Sequence, residues 1–216
     1  MRNVDIMRKA YEDLRGNWLI AIGAGLLYLL LTGGAQYVAR QVFGIEVMDG
    51  DMDLEPVPSV YNTFPLLIAL LLVAPFLLGF AHFYLSIARR EEVRIEQIFQ
   101  GYQNLWKSIA TYVLMVVFLV LWFILLIIPG IIMSLAYSQA FFILADDQDI
   151  RPLDAIRKST EMMRGYKWKY FRLQLRLVGL ALLCLLTLGI GFIWLYPYAQ
   201  AVGAVFYEDI KNNPAG

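Results

Sequence analysis

Few side chains in this 216-residue chain are equipped to do chemistry. His82 is the only histidine and Cys184 the only cysteine. Neither an intrachain disulfide nor a cluster of His and Cys metal ligands can be built from one of each. His82 sits in an apolar run, where an imidazole either titrates, binds a ligand or packs against its neighbours, and packing is the default. Asp49-Gly50-Asp51-Met52-Asp53 begins like a calcium loop. Leu54 stands where the sixth-position glycine belongs and Val60 where the twelfth-position glutamate belongs, so the EF-hand reading fails. No G-x-S-x-G, Walker A or G-x-G-x-x-G pattern occurs, and Gly189-Ile190-Gly191 reads as a turn. The residues predict no enzyme, no cofactor and no metal.

Two polar groups remain. Gln139, Gln200 and His82 lie within apolar stretches, where an amide or imidazole is expected to hydrogen-bond between helices. Residues 164–176 interleave Arg164, Lys167, Lys169 and Arg172 with Tyr166, Trp168, Tyr170 and Phe171. With 18 basic and 18 acidic residues the chain is neutral, which argues against a nucleic-acid partner. Beside a membrane the same run reads as an anchor on anionic lipid.

The elements that hold these residues are legible in where charge is missing. Residues 16–39, 56–88, 108–145 and 177–207 contain no Asp, Glu, Lys or Arg. About 18 such residues suffice to cross a hydrocarbon core of about 30 Å. The first two tracts predict one span each, near 18–38 and 64–88, joined by an acidic loop at 44–62. The third, wholly helical, would be about 57 Å long, and Pro129-Gly130 in its middle predicts a hairpin. The fourth gives a second hairpin turning at Gly189-Ile190-Gly191 if Arg172 and Arg176 snorkel to the headgroups; both its arms are short, so a tilted or partly re-entrant hairpin also fits. Six spans put 17 of the 18 basic residues on one side, leaving only Arg40 opposite, as expected of cytoplasmic loops.

An apolar stripe at helical spacing precedes each hairpin: Val4, Met7, Tyr11, Leu14; Ile95, Ile98, Tyr102, Leu105; and Leu153, Ile156, Thr160, Met163. The first and third stretches also share polar positions, Asp5, Arg8, Lys9, Glu12, Arg15 and Gly16 against Asp154, Arg157, Lys158, Glu161, Arg164 and Gly165. Trp18, Trp106 and Trp168 follow at the expected headgroup level. The hairpins end alike: Tyr137-Ser138-Gln139-Ala140 leads to Asp146-Asp147, and Tyr198-Ala199-Gln200-Ala201 to Glu208-Asp209. The expected fold is all-α: one membrane domain over 1–216 with six transmembrane helices as three hairpins, each preceded by a cytoplasmic amphipathic helix. The units fall at about 1–88, 89–147 and 148–209.

The run from Leu125 through Pro129-Gly130 to Tyr137-Ser138 and Asp146-Asp147 carries a family resemblance. So do Ala155-Ile156-Arg157-Lys158-Ser159, Met162-Met163-Arg164-Gly165, Thr187-Leu188-Gly189-Ile190-Gly191, Trp194-Leu195-Tyr196-Pro197-Tyr198 and Phe206-Tyr207-Glu208-Asp209. Together they resemble the bacterial integral-membrane family called domain of unknown function 975. That resemblance implies a multi-pass protein of the bacterial cytoplasmic (inner) membrane and no agreed activity; the charge rule puts both termini in the cytoplasm. The function expected is non-enzymatic organisation of membrane lipid, or of a membrane partner protein or second copy of the chain. A channel or transporter for an apolar or lipid-like substrate, and a membrane enzyme or its accessory subunit, are the alternatives.

Overall fold

The computed structural model describes residues 1–28, 30, 59–187 and 189–213, and every regular element among them is helical. In chain order these are α1 (Asn3–Leu14), α2 (Trp18–Tyr28), α3 (Ser59–Arg89), a 3₁₀ segment (Ile95–Asn104), α4 (Leu105–Leu125), α5 (Ile127–Tyr137), α6 (Ala140–Asp146), α7 (Pro152–Met162), α8 (Lys167–Leu186) and α9 (Phe192–Asn212). Arg40, the end of the first expected span and residues 44–58 of the acidic loop lie outside the described residues. Ser59 already belongs to α3, so the loop is shorter than expected at that end.

Two stretches among the described residues are long and apolar enough to cross a membrane, Ile95–Leu125 and Ile127–Asp146. They form the expected hairpin, with Phe118 against Tyr137 at 6.2 Å and Trp122 Nε1 donating to the Tyr137 hydroxyl at 3.2 Å. The reversal is not at Pro129-Gly130. Leu126 alone is extended, at φ −162° and ψ 140°, and Pro129 falls in the first turn of α5. First-turn amides have no intrahelical acceptor, so proline is harmless there. The α8–α9 turn lies where expected. Gly189 sits at φ +85°, and Thr187 Oγ1 donates to Cys184 O at 2.7 Å while accepting Gly191 N at 3.1 Å. Arg172 and Arg176 occupy the first half of α8, leaving residues 177–186, about 15 Å of uncharged helix.

Burial divides the helices by role. The core gathers Phe76, Phe83, Tyr84 and Ile87 of α3, Ile143 and Leu144 of α6, and Ala204, Val205 and Phe206 of α9, with Ile6 and Leu14 of α1 and Leu173 and Leu177 of α8. The outgoing arms show apolar side chains to the outside, among them Val117, Leu121 and Ile124 of α4 and Leu182, Leu183 and Leu186 of α8. A water-soluble domain seldom leaves so continuous an apolar band uncovered.

The segments before the hairpins differ from expectation in phase and in form. In α1 the buried face is Asn3, Ile6, Ala10, Asp13 and Leu14, whereas Val4 and Tyr11 are exposed. In α7 it is Ala155, Ile156 and Ser159, with Leu153 exposed. Leu14, Ile98, Ile156 and Met163 of the expected stripes are buried, while Ala10, Ala155 and Ser159 take buried places beside them, where small residues let neighbouring helices approach. The middle segment is 3₁₀ and lies close against α3: a Cβ on Gly79 would lie 1.7 Å from Ile98 O, and one on Gly101 1.8 Å from Pro75 O.

Several local details recur at one constant spacing between the first and third starts. Arg2 pairs with Asp5 and Arg151 with Asp154, at 3.1 and 2.6 Å. Asn17 N donates to Leu14 O at 2.9 Å, and Tyr166 N to Met163 O at 3.1 Å. Ala21 N donates to Asn17 O and Tyr170 N to Tyr166 O, both at 2.9 Å. Gly16 and Gly165 end the helices at φ +99° and +77°. Arg8 pairs with Glu12 at 2.8 Å, but the corresponding Arg157–Glu161 pair is not formed. In this register Trp18 matches Lys167 rather than Trp168.

Candidate functional site: a basic pocket beside a buried ionic cluster

The return helices converge on charge at one end of the bundle. Arg89, the last residue of α3, donates from Nε to Glu208 Oε1 of α9 at 2.7 Å and from Nη2 to Asp146 Oδ1 at the end of α6. The Tyr207 hydroxyl donates to Asp146 Oδ2 at 2.9 Å, and Lys211 bonds the same oxygen. The next residue, Arg90, takes φ +60° and donates from Nε to Asp13 Oδ1 at 2.7 Å. Asp13 is fully buried, so this pair ties α1 to the end of α3.

A second cluster lies on α9. Asp209, its side chain 2% exposed, accepts Lys169 Nζ at 2.6 Å and the Met1 amine at 2.9 Å. Burial pushes the Asp209 carboxyl up, but the bonds from Lys169 and the amine outweigh it and hold it below the usual carboxylate range. Asn3 Nδ2 donates to Lys169 O at 3.0 Å, and the Tyr198 hydroxyl to Met7 O at 3.0 Å, so α1 is pinned to both arms of the last hairpin.

Beside this cluster a cavity of about 440 Å³ is lined by Met1, Arg2, Asn3, Val4, Lys169, Arg172 and Arg176. Lys169 and the Met1 amine share Asp209, and Arg2 pairs with Asp5. Arg172 and Arg176 have no carboxylate partner among the described residues. Two unpaired guanidiniums around a cavity of this size suit a phosphate or carboxylate, which arginine binds with paired N–H donors.

The structure sorts the residues singled out in the sequence. Lys169 and Arg172 line the cavity; Arg164 and Lys167 do not. Trp106 and Trp168 are exposed, Trp168 stacked on Phe171 at 5.3 Å, while Trp18 is half-buried 6.0 Å from Tyr11. Gln139 is fully buried; its side-chain amide donates to adjacent Ser138 Oγ at 2.9 Å, and across helices the side chain also meets the Tyr170 hydroxyl of α8. Its backbone N donates to Ser159 Oγ of α7 at 3.2 Å. Gln139 Oε1 and His82 Nε2 are buried without a hydrogen-bond partner. Gln200 is half-buried, and its side chain bonds Tyr196 one turn back on α9. No group of three or more His, Cys, Asp or Glu among the described residues could hold a metal ion. Sequence reading placed Arg176 among the headgroups but missed Arg2 and the Arg89 hub; the acidic hairpin ends pointed to the hub, but their partners lie far away in sequence.

A helical bundle with two stretches of membrane-crossing length among the described residues, capped at one end by ion pairs and a basic pocket, defines the class. The chain belongs to the family described as Protein of unknown function (DUF975), which matches residues 1–129 and 116–214. No curated protein and no solved structure matches it.

Proposed function

We propose that this chain is a non-enzymatic multi-pass membrane protein that holds anionic lipid at the cytoplasmic face of a bacterial inner membrane. The observation that carries this reading is the cavity with Arg172 and Arg176 unpaired, beside helices whose outer faces are apolar. Three hairpins enter from one side, both termini cytoplasmic, and each starting segment packs on the return helix of the unit before it. The 3₁₀ segment lies on α3, Ser159 of α7 bonds Ala136 O, and Tyr198 of α9 bonds α1. The matched turns at Gly16 and Gly165 support an internal repeat. With Arg172 and Arg176 among the headgroups, the uncharged part of α8 covers about one leaflet, so the third hairpin is re-entrant.

Two experiments test this. In a Cys184→Ser background, Glu96→Cys, Glu161→Cys and Asn212→Cys should be labelled from the cytoplasm and Asp51→Cys from outside. External labelling at Glu161→Cys would sink the topology. Purified protein should retain phosphatidylglycerol in preference to phosphatidylcholine on native mass spectrometry, and equal retention would remove the lipid reading.

Transport of a lipid-like substrate is the second reading, favoured by the unpartnered His82 Nε2 and Gln139 Oε1 on the return helices. Flux of an apolar substrate in proteoliposomes, lost in His82→Ala, would establish it; no flux across a broad substrate panel would discard it.

A further inference from the structure

The basic cavity does not stand alone on α8. A second, apolar cavity of about 370 Å³ is lined by Tyr11, Trp18, Leu180, Leu183, Cys184, Thr187 and Trp194 among others. Lys169, Arg172, Arg176, Leu180, Leu183 and Thr187 follow one another at three- and four-residue steps, so both cavities open on a single face of α8. The opposite wall is shared too. Val4 lines the basic cavity and Tyr11 the apolar one, seven residues apart and therefore on one side of α1. Both residues are 57% exposed. The polarity is graded along it, with arginines at one end and leucines, a thiol and indole at the other.

From Arg176 to Thr187 the helix rises about 16 Å, close to the hydrocarbon depth of one leaflet, about 15 Å. We infer that the α1–α8 seam is a binding site for one anionic phospholipid, its phosphate between Arg2, Arg172 and Arg176 and one acyl chain along Leu180, Leu183 and Cys184. The site rests on the lipid reading above and goes beyond it. Surface attraction needs only charge, whereas a seated lipid also has a fixed chain. Charge complementarity selects the head, and the depth of the groove selects a chain attached to it over a soluble phosphate.

The test uses full-length protein in nanodiscs containing phosphatidylglycerol with a diazirine near the end of one acyl chain. Photo-adducts, mapped by mass spectrometry, should concentrate on residues 180–195 and on Trp18. Replacing the head by phosphocholine should disperse them. Arg172→Ala and Arg176→Ala should each reduce the adducts about tenfold, the loss expected for one charge-assisted contact. Leu183→Trp, which fills the groove from an exposed position and so spares the fold, should abolish the localised adducts while phosphatidylglycerol is still retained over phosphatidylcholine. Adducts spread evenly over the outer helices, with that preference intact, would overturn the seated chain and leave the headgroup reading standing. Loss of the preference itself would overturn both.

Discussion

Arg89 at the end of α3 and Glu208 near the end of α9 are joined at 2.7 Å, and the same guanidinium holds Asp146 at the end of α6. One side chain thus links the last turns of three helices that stand far apart in the chain. Its exposure is 29%, against 15% for Asp146 and 14% for Glu208, so water screens the acids little.

Replacing Arg89 by alanine should therefore cost more than an exposed ion pair is worth. Two carboxylates would be left poorly hydrated, with Lys211 and the Tyr207 hydroxyl the remaining donors to Asp146. The expected loss is about 2–3 kcal/mol, below the value for fully buried pairs. Arg89→Lys should recover only part of it, because an ammonium cannot reach both carboxylates with a planar fork. Thermal unfolding in detergent measures both variants, and an unchanged midpoint in Arg89→Ala would show the hub to be dispensable.

That hub also marks the limit of what the sequence discloses. Uncharged runs follow from the cost of placing charge in hydrocarbon, so the hairpins at Leu126 and Gly189 were legible to within a few residues. The phase of α1 was not. Val4 and Tyr11 look like a buried stripe, yet Ala10 and Asp13 are buried, because a small residue lets helices approach and Asp13 has Arg90 as its partner. Local spacing carries no information about a partner so far along the chain. The pocket was half legible for the same reason: Lys169 and Arg172 stand in a basic run, but Arg2 joins them only through the packing of α1.

Close approach gives the second prediction. Gly79→Ala and Gly101→Ala would each drive a methyl group into backbone, Ile98 O at 1.7 Å and Pro75 O at 1.8 Å. Backbone cannot swing aside as a side chain can, so each should cost about 3 kcal/mol, at the upper end for overpacking. Gly179→Ala is the control. A Cβ there meets nothing within 4 Å, and inside α8 the exchange should be neutral or stabilising by up to about 1 kcal/mol. If all three behave alike, the tight packing of the 3₁₀ segment on α3 is not real.

The third prediction concerns acid. The Asp209 carboxyl is held below its ordinary value of about 3.9, so the folded state binds its proton less readily than the unfolded one. A depressed folded value stabilises above the unfolded value and loses that contribution as the pH falls through the folded one. Stability from this group should be constant from neutral pH down to about 5 and decline below about 4. Asp209→Asn should lower the midpoint at pH 7 and flatten the acid slope. A wild-type slope retained in Asp209→Asn would assign the acid sensitivity to other carboxylates.

The last prediction turns the matched starts into a measurement. Gly16 and Gly165 occupy φ +99° and +77°, a region where a Cβ crowds the following carbonyl oxygen. Nothing lies within 4 Å of a Cβ on Gly16, so backbone conformation alone opposes alanine there. Gly16→Ala and Gly165→Ala should each cost about 1–2 kcal/mol. Asparagine tolerates the left-handed region, centred near +57°, so Gly165→Asn should be milder than Gly165→Ala. At Gly16, further from that centre, asparagine should recover less. Gly23→Ala, in α2 with no neighbour within 4 Å and no positive φ, supplies the baseline and should not destabilise. Chemical denaturation of the five variants in detergent gives the comparison. Equal penalties at the two turns would be expected of one structural unit used twice; a penalty at one turn and none at the other would separate them.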